Sequence, residues 1–281
     1  MFGKGKNDWG KISVNVKTDR EIFNVPLFVY VSIASPQDFD TLFRYAYLEG
    51  LDVYENGGRD TYGYFMLTDD IDMAYFPYNS AVFYYSGSLK SWSRILYGTI
   101  DGNGHTIYNL APEIGDNGGL FPCIGETGVV KNLILKSASN TRSALIATEN
   151  NGRVENIFIE GSIVNGGSSG IPAGMLVSKN NGTVTNCAVI LRDAPDAEIS
   201  YGAMLVGRDQ SGGKITNCIA INASKKVVYA VGTNSKTVAQ SGEQAVASNR
   251  VYSGFNEYKK DRENINVCTW ALEIIDSFIE E

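Results

Sequence analysis

The sequence predicts an all-β chain that coils into a right-handed parallel β-helix of about six or seven rungs. Two recurring patterns carry this prediction. The first is a pentamer of the form x-[Ile/Val]-x-Asn-[Leu/Ile/Cys], and its five copies place asparagines at Asn109, Asn132, Asn156, Asn186 and Asn217. The second is a small, apolar hexamer that begins 13 to 15 residues before each asparagine.

The repeat period is typical of a solenoid. The asparagines are 23, 24, 30 and 31 residues apart, and each unit contains glycines, β-branched residues and Gly-containing turn signals such as Asn103-Gly104 and Asn151-Gly152. Glycine and β-branched residues disfavour helical repeats. The two longer steps place extra residues near Ser162–Pro172 and Asp193–Ser200, in loops that could carry binding specificity.

Stacked units bring equivalent side chains into ladders with a spacing of about 4.8 Å. One apolar ladder is expected to contain Ile107, Val130, Val154, Val184 and Ile215. The five asparagines lie two residues further along the chain and are expected to form a structural ladder of amides.

The chain before the repeats divides into two parts. In residues 1–34, Lys11–Lys17 and Pro26–Ile33 alternate as strands do. Residues 35–50 predict an amphipathic helix that caps the array, because Ser35 suits the N-cap, Asp38 completes a capping box and Gly50 suits the end. Its apolar positions are Phe39, Leu42, Phe43 and Ala46.

The repeat domain is predicted to cover residues 51–235, with Tyr64–Leu67 as its first strand. Residues 236–281 form a C-terminal extension. A helix is expected there from Cys268 to Ile279, because four apolar residues share one helical face. This face is expected to pack against the array. These are Ala271, Leu272, Ile275 and Phe278.

Composition excludes several partners. The formal net charge is −7 and the pI is about 4.9, which argues against nucleic acid or an anionic membrane surface. No apolar run approaches the roughly 20 residues needed for membrane insertion. Met1 is followed by the polar stretch Gly3–Asp8, so no signal peptide is expected in this chain.

The four cysteines lack the spacing of a zinc site. They can pack as small apolar residues. Cys187 and Cys218 follow consecutive repeat asparagines, so stacking would place their Cα atoms about 5 Å apart, within disulfide range. Sequence does not report their redox state.

The repeated motifs resemble a known family. The hexamers followed by Gly-x-[Ile/Val]-x-Asn are similar to the GLUG-motif repeats of bacterial surface proteins, and Thr68–Met73 followed by Tyr97–Ile107 resembles the rung that commonly precedes them. The resemblance covers roughly residues 30–235. Pro122, Thr148 and Ser178 replace the expected hexamer glycine, which is expected to loosen the turns.

The resemblance implies a non-enzymatic β-helix module that is structural or presents a ligand, in an adhesin-type cell-surface protein or a phage virion such as a tail spike. The localisation would be extracellular or on a virion. The partner would be a protein or a glycan, no cofactor is implied, and a trimer is expected if the chain belongs to a phage spike.

An acidic cluster leaves an enzymatic alternative open. Paired carboxylates serve glycoside hydrolysis, so a polysaccharide hydrolase or lyase could use the group Asp69, Asp70, Asp72 and Asp101. The stretch Gly98–Gly102 is similar to one in polygalacturonase-type β-helices, but a second paired-Asp motif and a basic cluster are missing. The same aspartates are weak calcium candidates, or they cap turns. The sole histidine, His105, fits an ordinary turn position.

Residues 75–97 are rich in aromatic side chains. Tyr and Trp favour interface hot spots, so a binding surface is expected at Tyr78, Tyr84, Tyr85 and Trp92. Burial beneath the capping helix is the alternative for the same residues.

Overall fold

A computed structural model describes residues 11–17, 22–28, 30–39, 63–74, 95–111, 119–140, 143–164, 167, 172–194, 202–210, 212–224, 226, 228–232 and 248–279. These residues form a parallel β-solenoid of about five turns with a few C-terminal helices. The predicted fold class is confirmed, and the coil has fewer turns than the six or seven expected.

The described strands are, in chain order, β1 (Lys11–Lys17), β2 (Ile22–Phe28), β3 (Val31–Ile33), β4 (Tyr64–Leu67), β5 (Ile71–Asp72), β6 (Ile95–Leu96), β7 (Thr99–Asp101), β8 (Thr106–Tyr108), β9 (Phe121–Ile124), β10 (Val129–Asn140), β11 (Ala147–Asn150), β12 (Arg153–Ile163), β13 (Ala173–Gly174), β14 (Val177–Asn180), β15 (Thr183–Thr185), β16 (Ala188–Asp193), β17 (Gly202–Asp209), β18 (Lys214–Thr216), β19 (Ile219–Asn222), β20 (Tyr229–Val231) and β21 (Arg250–Tyr252).

Two parallel sheets form the coil. The larger sheet stacks in the order β3-β4-β7-β10-β12-β16-β19-β21, with β5, β8, β15 and β18 paired beside this row. The second sheet contains the hexamer strands in the order β6-β9-β11-β14-β17, with β13 and β20 also pairing β17. Neighbours in the stack are therefore successive turns of one chain.

The core fills the space between the sheets, and its first apolar ladder consists of Phe65, Ile100, Val130, Val154, Val184 and Ile215. Placing Ile107 in this ladder was wrong. Ile107 pairs with Leu135, on a second ladder that continues through Ile159 and Val189.

A turn explains the correction. The chain makes a tight turn at Asn103 and Gly104, which have positive φ values of 53° and 79°, and then continues in its original direction, because β7 and β8 both pair in parallel with β10. The pentamer copy around Ile107 therefore pairs with the second half of β10. The other copies occupy the first strand position of their rungs. Glycine and asparagine tolerate this left-handed backbone better than other residues.

The described part of residues 1–34 contains three strands where two were expected. β1 and β2 form an antiparallel hairpin of their own. The run predicted as Pro26–Ile33 is divided between β2 and β3, and β3 joins the coil by pairing with β4.

The first turn of the predicted capping helix is confirmed. Residues 36–39 are helical, and Phe39 is fully buried. The Asp38 backbone N–H donates to Ser35 Oγ at 3.3 Å, while the Asp38 carboxylate accepts from the Ala34 backbone N–H at 2.9 Å. This is a variant of the capping box, in which Ala34 donates in place of the N-cap Ser35. Residues 40–50 lie outside the described residues.

The C-terminal end folds into α1 (Phe255–Asp261), a 3-10 turn (Arg262–Asn264), a second 3-10 turn (Thr269–Ala271) and α2 (Leu272–Ser277). The predicted face is present: Ala271, Leu272 and Ile275 are buried and Phe278 is partly buried. Residues 255–279, hereafter the C-terminal layer, cover the outer face of the larger sheet. Phe158, Ala188, Ile190, Ile219 and Ile221 on that face are fully buried beneath it.

Candidate functional site

The repeated asparagines occupy bends of the coil. Asn132, Asn156, Asn186 and Asn217 have φ between 53° and 56°, in the left-handed region. Among residues other than glycine, asparagine adopts this conformation most readily. Backbone geometry therefore explains why the repeat keeps asparagine at these positions.

The side chains of Asn132, Asn156 and Asn186 form a hydrogen-bonded row, hereafter the first amide row. Asn186 donates from its amide to Asn156 Oδ1, and Asn156 donates to Asn132 Oδ1 at 2.9 Å. Asn132 donates to Asp101 Oδ1, also at 2.9 Å. The row thus begins at a carboxylate.

Asn109 does not belong to this row, so its inclusion in a five-membered ladder was wrong. Its backbone is also left-handed, but its backbone N–H donates to the Lys136 carbonyl. This bond places Asn109 opposite Ser137, at a different bend of the coil. Its side chain donates to Asp72 Oδ1 at 2.8 Å. At the other end, the Asn217 backbone N–H donates to Ser248 Oγ at 3.3 Å.

Asp101 is held from several directions. Its carboxylate accepts hydrogen bonds from the Tyr64 hydroxyl, the Asn132 side chain and the Asn103 backbone, and it lies 3.3 Å from Lys131 Nζ. Burial alone would raise its pKa, but these bonds and the lysine charge outweigh burial and lower the pKa below its ordinary value. Asp101 is therefore ionised at neutral pH.

Tyr64 and Lys131 complement this charge. Burial, followed by the hydrogen bond to Asp101, raises the pKa of Tyr64, so its phenol stays neutral. Burial alone would lower the pKa of Lys131, but Tyr64 and Asp101 outweigh burial and raise it. The ammonium also lies 5.6 Å from the centre of the Tyr64 ring. The three side chains form one ionic cluster on the outer face of the coil.

The other predicted acidic residues bind the scaffold separately. Asp70 Oδ1 lies 3.1 Å from His105 Nδ1 and accepts from the Thr106 amide at 2.9 Å. The Asn109 side chain, followed by the Ala74 amide, lowers the pKa of Asp72. Asp69 accepts from the Asp70 amide at 3.0 Å.

These bonds give the calcium hypothesis no support. In the part of the chain that the structure describes, no group of three or more His, Cys, Asp or Glu side chains is placed to hold a metal ion. The four aspartates at positions 69, 70, 72 and 101 accept hydrogen bonds from backbone N–H groups in turns or from side chains on neighbouring rungs.

A second amide row was missed in the sequence. Asn150 donates to Asn180 Oδ1 at 2.8 Å, and Asn180 donates to Asp209 Oδ1 at 2.9 Å. Both asparagines are fully buried. Burial raises the pKa of Asp209, and the Asn180 bond offsets part of this effect. The repeated Asn-Asn-Gly triplets at 150–152 and 180–182 were the available signal.

The hexamer substitutions do not loosen the turns as expected. Thr148 and Ser178 are fully buried. The Thr148 hydroxyl lies 2.9 Å from the Ser143 hydroxyl, and the Ser178 hydroxyl donates to the Pro172 carbonyl at 2.5 Å. These hydroxyls close the bend through a side-chain bond that glycine could not make.

The two long connections arise at one edge of the coil. The first runs from β12 to β13 and the second from β16 to β17. Ser162 pairs with Asp193 where they start, and Ala173 pairs with Gly202 where they end. The strands that anchor the two connections are therefore neighbours in the stack.

The aromatic binding candidates Tyr78, Tyr84, Tyr85 and Trp92 lie outside the described residues. Their role stays a prediction.

Comparisons with known proteins give limited matches. No family model matches the chain. A 71-residue stretch, 24% of the chain, is 41% identical to halomucin of Haloquadratum walsbyi, of which it spans only 1%. Among solved structures, a candidate immunoglobulin A1 protease from Bacteroides ovatus matches with a TM-score of 0.45 and 17% identity, covering 82% of this chain and 86% of that one. This likeness is too low to carry a functional argument.

Within the described residues, no helix combines the length and apolar character needed to cross a membrane.

Proposed function

We propose that this chain is a non-enzymatic β-solenoid module that holds other parts of a protein apart or presents a ligand-binding edge, in an adhesin-type bacterial surface protein or a phage virion. One observation carries the proposal. The recurring polar side chains, which are the obvious candidates for chemistry, bind one another inside the scaffold. The repeated polar residues therefore stabilise the coil. The turns of the coil differ from one another mainly in the length of the connections between their strands.

The surface location is supported by two likenesses. The motifs resemble GLUG repeats of bacterial surface proteins, and the partial match to halomucin is consistent with a role outside the cell. Because the match covers so little of halomucin, it supports a location and no specific partner.

Ligand presentation is supported by the two long connections at one edge of the coil. Their strand anchors are adjacent, so two lengthened segments leave the scaffold side by side. Segments that vary in length on a rigid scaffold are common places for binding specificity. A protein or a glycan is the proposed partner.

The polysaccharide-degrading alternative is weaker because of Asp101. A general acid in glycoside hydrolysis needs a raised pKa, whereas the hydrogen bonds around Asp101 lower it. A nucleophile or base needs a free oxygen facing the substrate, and both oxygens of this carboxylate already accept bonds.

Glycan-array binding tests the ligand-presenting proposal. We expect the wild type to bind a defined group of glycans, and shortened connections at 165–171 or 195–200 to remove binding while leaving the unfolding temperature unchanged. Lys214→Asp, on the exposed outer face, is the matched control and should bind like the wild type. Unchanged binding in both shortened variants would contradict a role for this edge.

Release of reducing sugars from acidic polysaccharides tests the alternative. We expect none from the wild type. Activity that disappears in Asp101→Asn, with the variant shown to be folded by circular dichroism, would establish the enzyme instead.

A further inference from the structure

Two cysteines occupy equivalent places in neighbouring turns. Cys187 and Cys218 lie side by side, because Thr185 pairs with Thr216 before them and Ala188 pairs with Ile219 after them. Each thiol donates to the carbonyl two residues earlier, at 3.2 Å for Cys187 and 3.3 Å for Cys218. The two side chains therefore point the same way.

The two thiols are close neighbours in the core. Besides burial, Cys218 contributes to the raised pKa of Cys187, and both cysteines are free and fully buried. Neighbouring strands of a sheet are about 4.8 Å apart. Disulfides join Cα atoms that are about 4.4 to 6.8 Å apart. A bond between these sulfurs is therefore compatible with the observed register.

We propose that Cys187 and Cys218 form a disulfide-forming site that cross-links two turns of the coil when the chain folds in the presence of a small disulfide such as oxidised glutathione. One cysteine thiolate attacks the small disulfide and displaces one small thiol, which leaves a mixed disulfide. The second cysteine thiolate then attacks the protein sulfur of that mixed disulfide and displaces the other small thiol. Two cysteine thiols are oxidised, one small disulfide is reduced, and the two protons end on the released thiols.

Burial determines when this exchange occurs. Exchange requires a thiolate, and burial raises the pKa of the Cys187 thiol well above its ordinary value. Both sulfurs are also shielded from solvent in the folded protein. The bond therefore forms during folding, and the folded coil then preserves whichever redox state it was given.

The other two cysteines provide internal comparisons. Cys268 enters from the C-terminal layer, lies near Cys218 and is also buried. It is the competing partner, but no strand pairing holds it in register with either cysteine. Cys123 lies on β9 in the second sheet and provides a buried thiol with no part in the site.

Refolding followed by peptide mass mapping tests the proposal. The reduced, unfolded chain is refolded with mixed oxidised and reduced glutathione, or with reduced glutathione alone, and digested without reductant. We expect a Cys187–Cys218 cross-linked peptide only in the first case, and the same peptide from the Cys268→Ser and Cys123→Ser variants. The folded, reduced protein should form it at least ~10-fold more slowly in the same buffer, since each unit of raised thiol pKa lowers the thiolate fraction about tenfold.

Three results would overturn the proposal: folded protein with both thiols still free, a Cys218–Cys268 bond in place of the expected one, or equal rates for folded and folding chains. If refolding gives no soluble protein, the same mapping on chain exported to an oxidising bacterial periplasm gives the same decision.

Discussion

The side-chain amide of Asn132 donates a 2.9 Å hydrogen bond to the carboxylate of Asp101. An amide both donates and accepts, so a row of amides alone can run in either direction, whereas an ionised carboxylate only accepts. Asp101 therefore fixes the direction of the first amide row, in which every donor points towards the N-terminal turns. Asp209 fixes the second row, in which Asn150 and Asn180 donate in the opposite direction.

Asn156 is the clearest test of the first amide row, because it both donates to Asn132 and accepts from Asn186. Asn156→Ala should lower the free energy of unfolding by about 1 to 3 kcal/mol, since it removes one hydrogen-bond partner from each of two neighbouring side-chain amides. Denaturant unfolding measures the change.

Asn156→Gly is the matched control for backbone strain, because glycine adopts the positive φ of 53° without penalty. The glycine variant should lose the hydrogen bonds alone and should be intermediate in stability. If it is as stable as the wild type, the row contributes nothing and only the backbone requires asparagine.

Asp101→Asn should destabilise the protein at neutral pH by about 1.5 to 3 kcal/mol, the range for hydrogen bonds to a charged group. The amide keeps the size of the side chain but brings donors against the donors of Asn132, Lys131 and the Asn103 backbone. Denaturant unfolding of both proteins at several pH values measures the difference.

The pH dependence has a defined sign. The folded-state pKa of Asp101 is lowered from its ordinary value of 3.8, so its stabilisation is present above that value and is lost as the pH falls through the folded-state pKa. The difference in free energy of unfolding between the wild type and Asp101→Asn should therefore decrease below about pH 4. A gap that does not change with pH would show that the charge is not responsible.

Asp209→Asn should show the opposite behaviour. Burial raises the folded-state pKa of Asp209 above 3.8, so the wild type loses stability as the pH rises from that value through the folded-state pKa. Below the ordinary pKa of 3.8, the variant and the wild type should have the same free energy of unfolding. At neutral pH the variant should be the more stable of the two. We expect a gain below about 1 kcal/mol, because the carboxyl is only partly buried and water screens it.

Unfolding of the Asp209 and Asp101 variants in the same buffers gives an internal control. The two substitutions are chemically identical and differ only in the surroundings of the carboxyl. A loss of stability at neutral pH in both would contradict the assigned role of burial at Asp209.

The sequence predicted the coil because a period of 23 to 31 residues, strand formers and turn glycines all favour one architecture. Ser35 and Asp38 predicted the start of a helix because a capping box is a local signal. Ile107 and Asn109 were misplaced because their pentamer matches the others in sequence. The turn at Asn103 and Gly104 shifts the strand register, so that Ile107 pairs with Leu135 and not with Val130.

Other features depended on contacts that a pattern does not contain. The pair Asn151-Gly152 was predicted as a turn, but the preceding Asn150 and its counterpart Asn180 were not singled out. Their burial in a row becomes evident only when neighbouring turns are stacked. α1 was missed within a charged run because Tyr258 is the single buried residue of that short helix. Its partners on the outer face of the coil, including Ile221, are distant in sequence.

Ile221 tests whether the C-terminal layer is a separable cover. Its side chain lies on the outer face of the larger sheet and is fully buried beneath the layer. Ile221→Asp places an uncompensated charge there, at a cost of at least about 3 kcal/mol. We expect the C-terminal layer to detach while the coil stays folded. Hydrogen exchange measured by mass spectrometry should show lost protection in residues 255–279 and retained protection in β10 and β12.

Two further variants set the limits of this result. Ile159→Asp places the same charge in the core inside the coil, so protection should be lost in both regions. Lys214→Asp places it at an exposed position in β18, five residues before β19, so neither region should change. If Ile221→Asp behaves like Ile159→Asp, the layer and the coil unfold as one cooperative unit, and the C-terminal layer is part of the fold and not a cover over it.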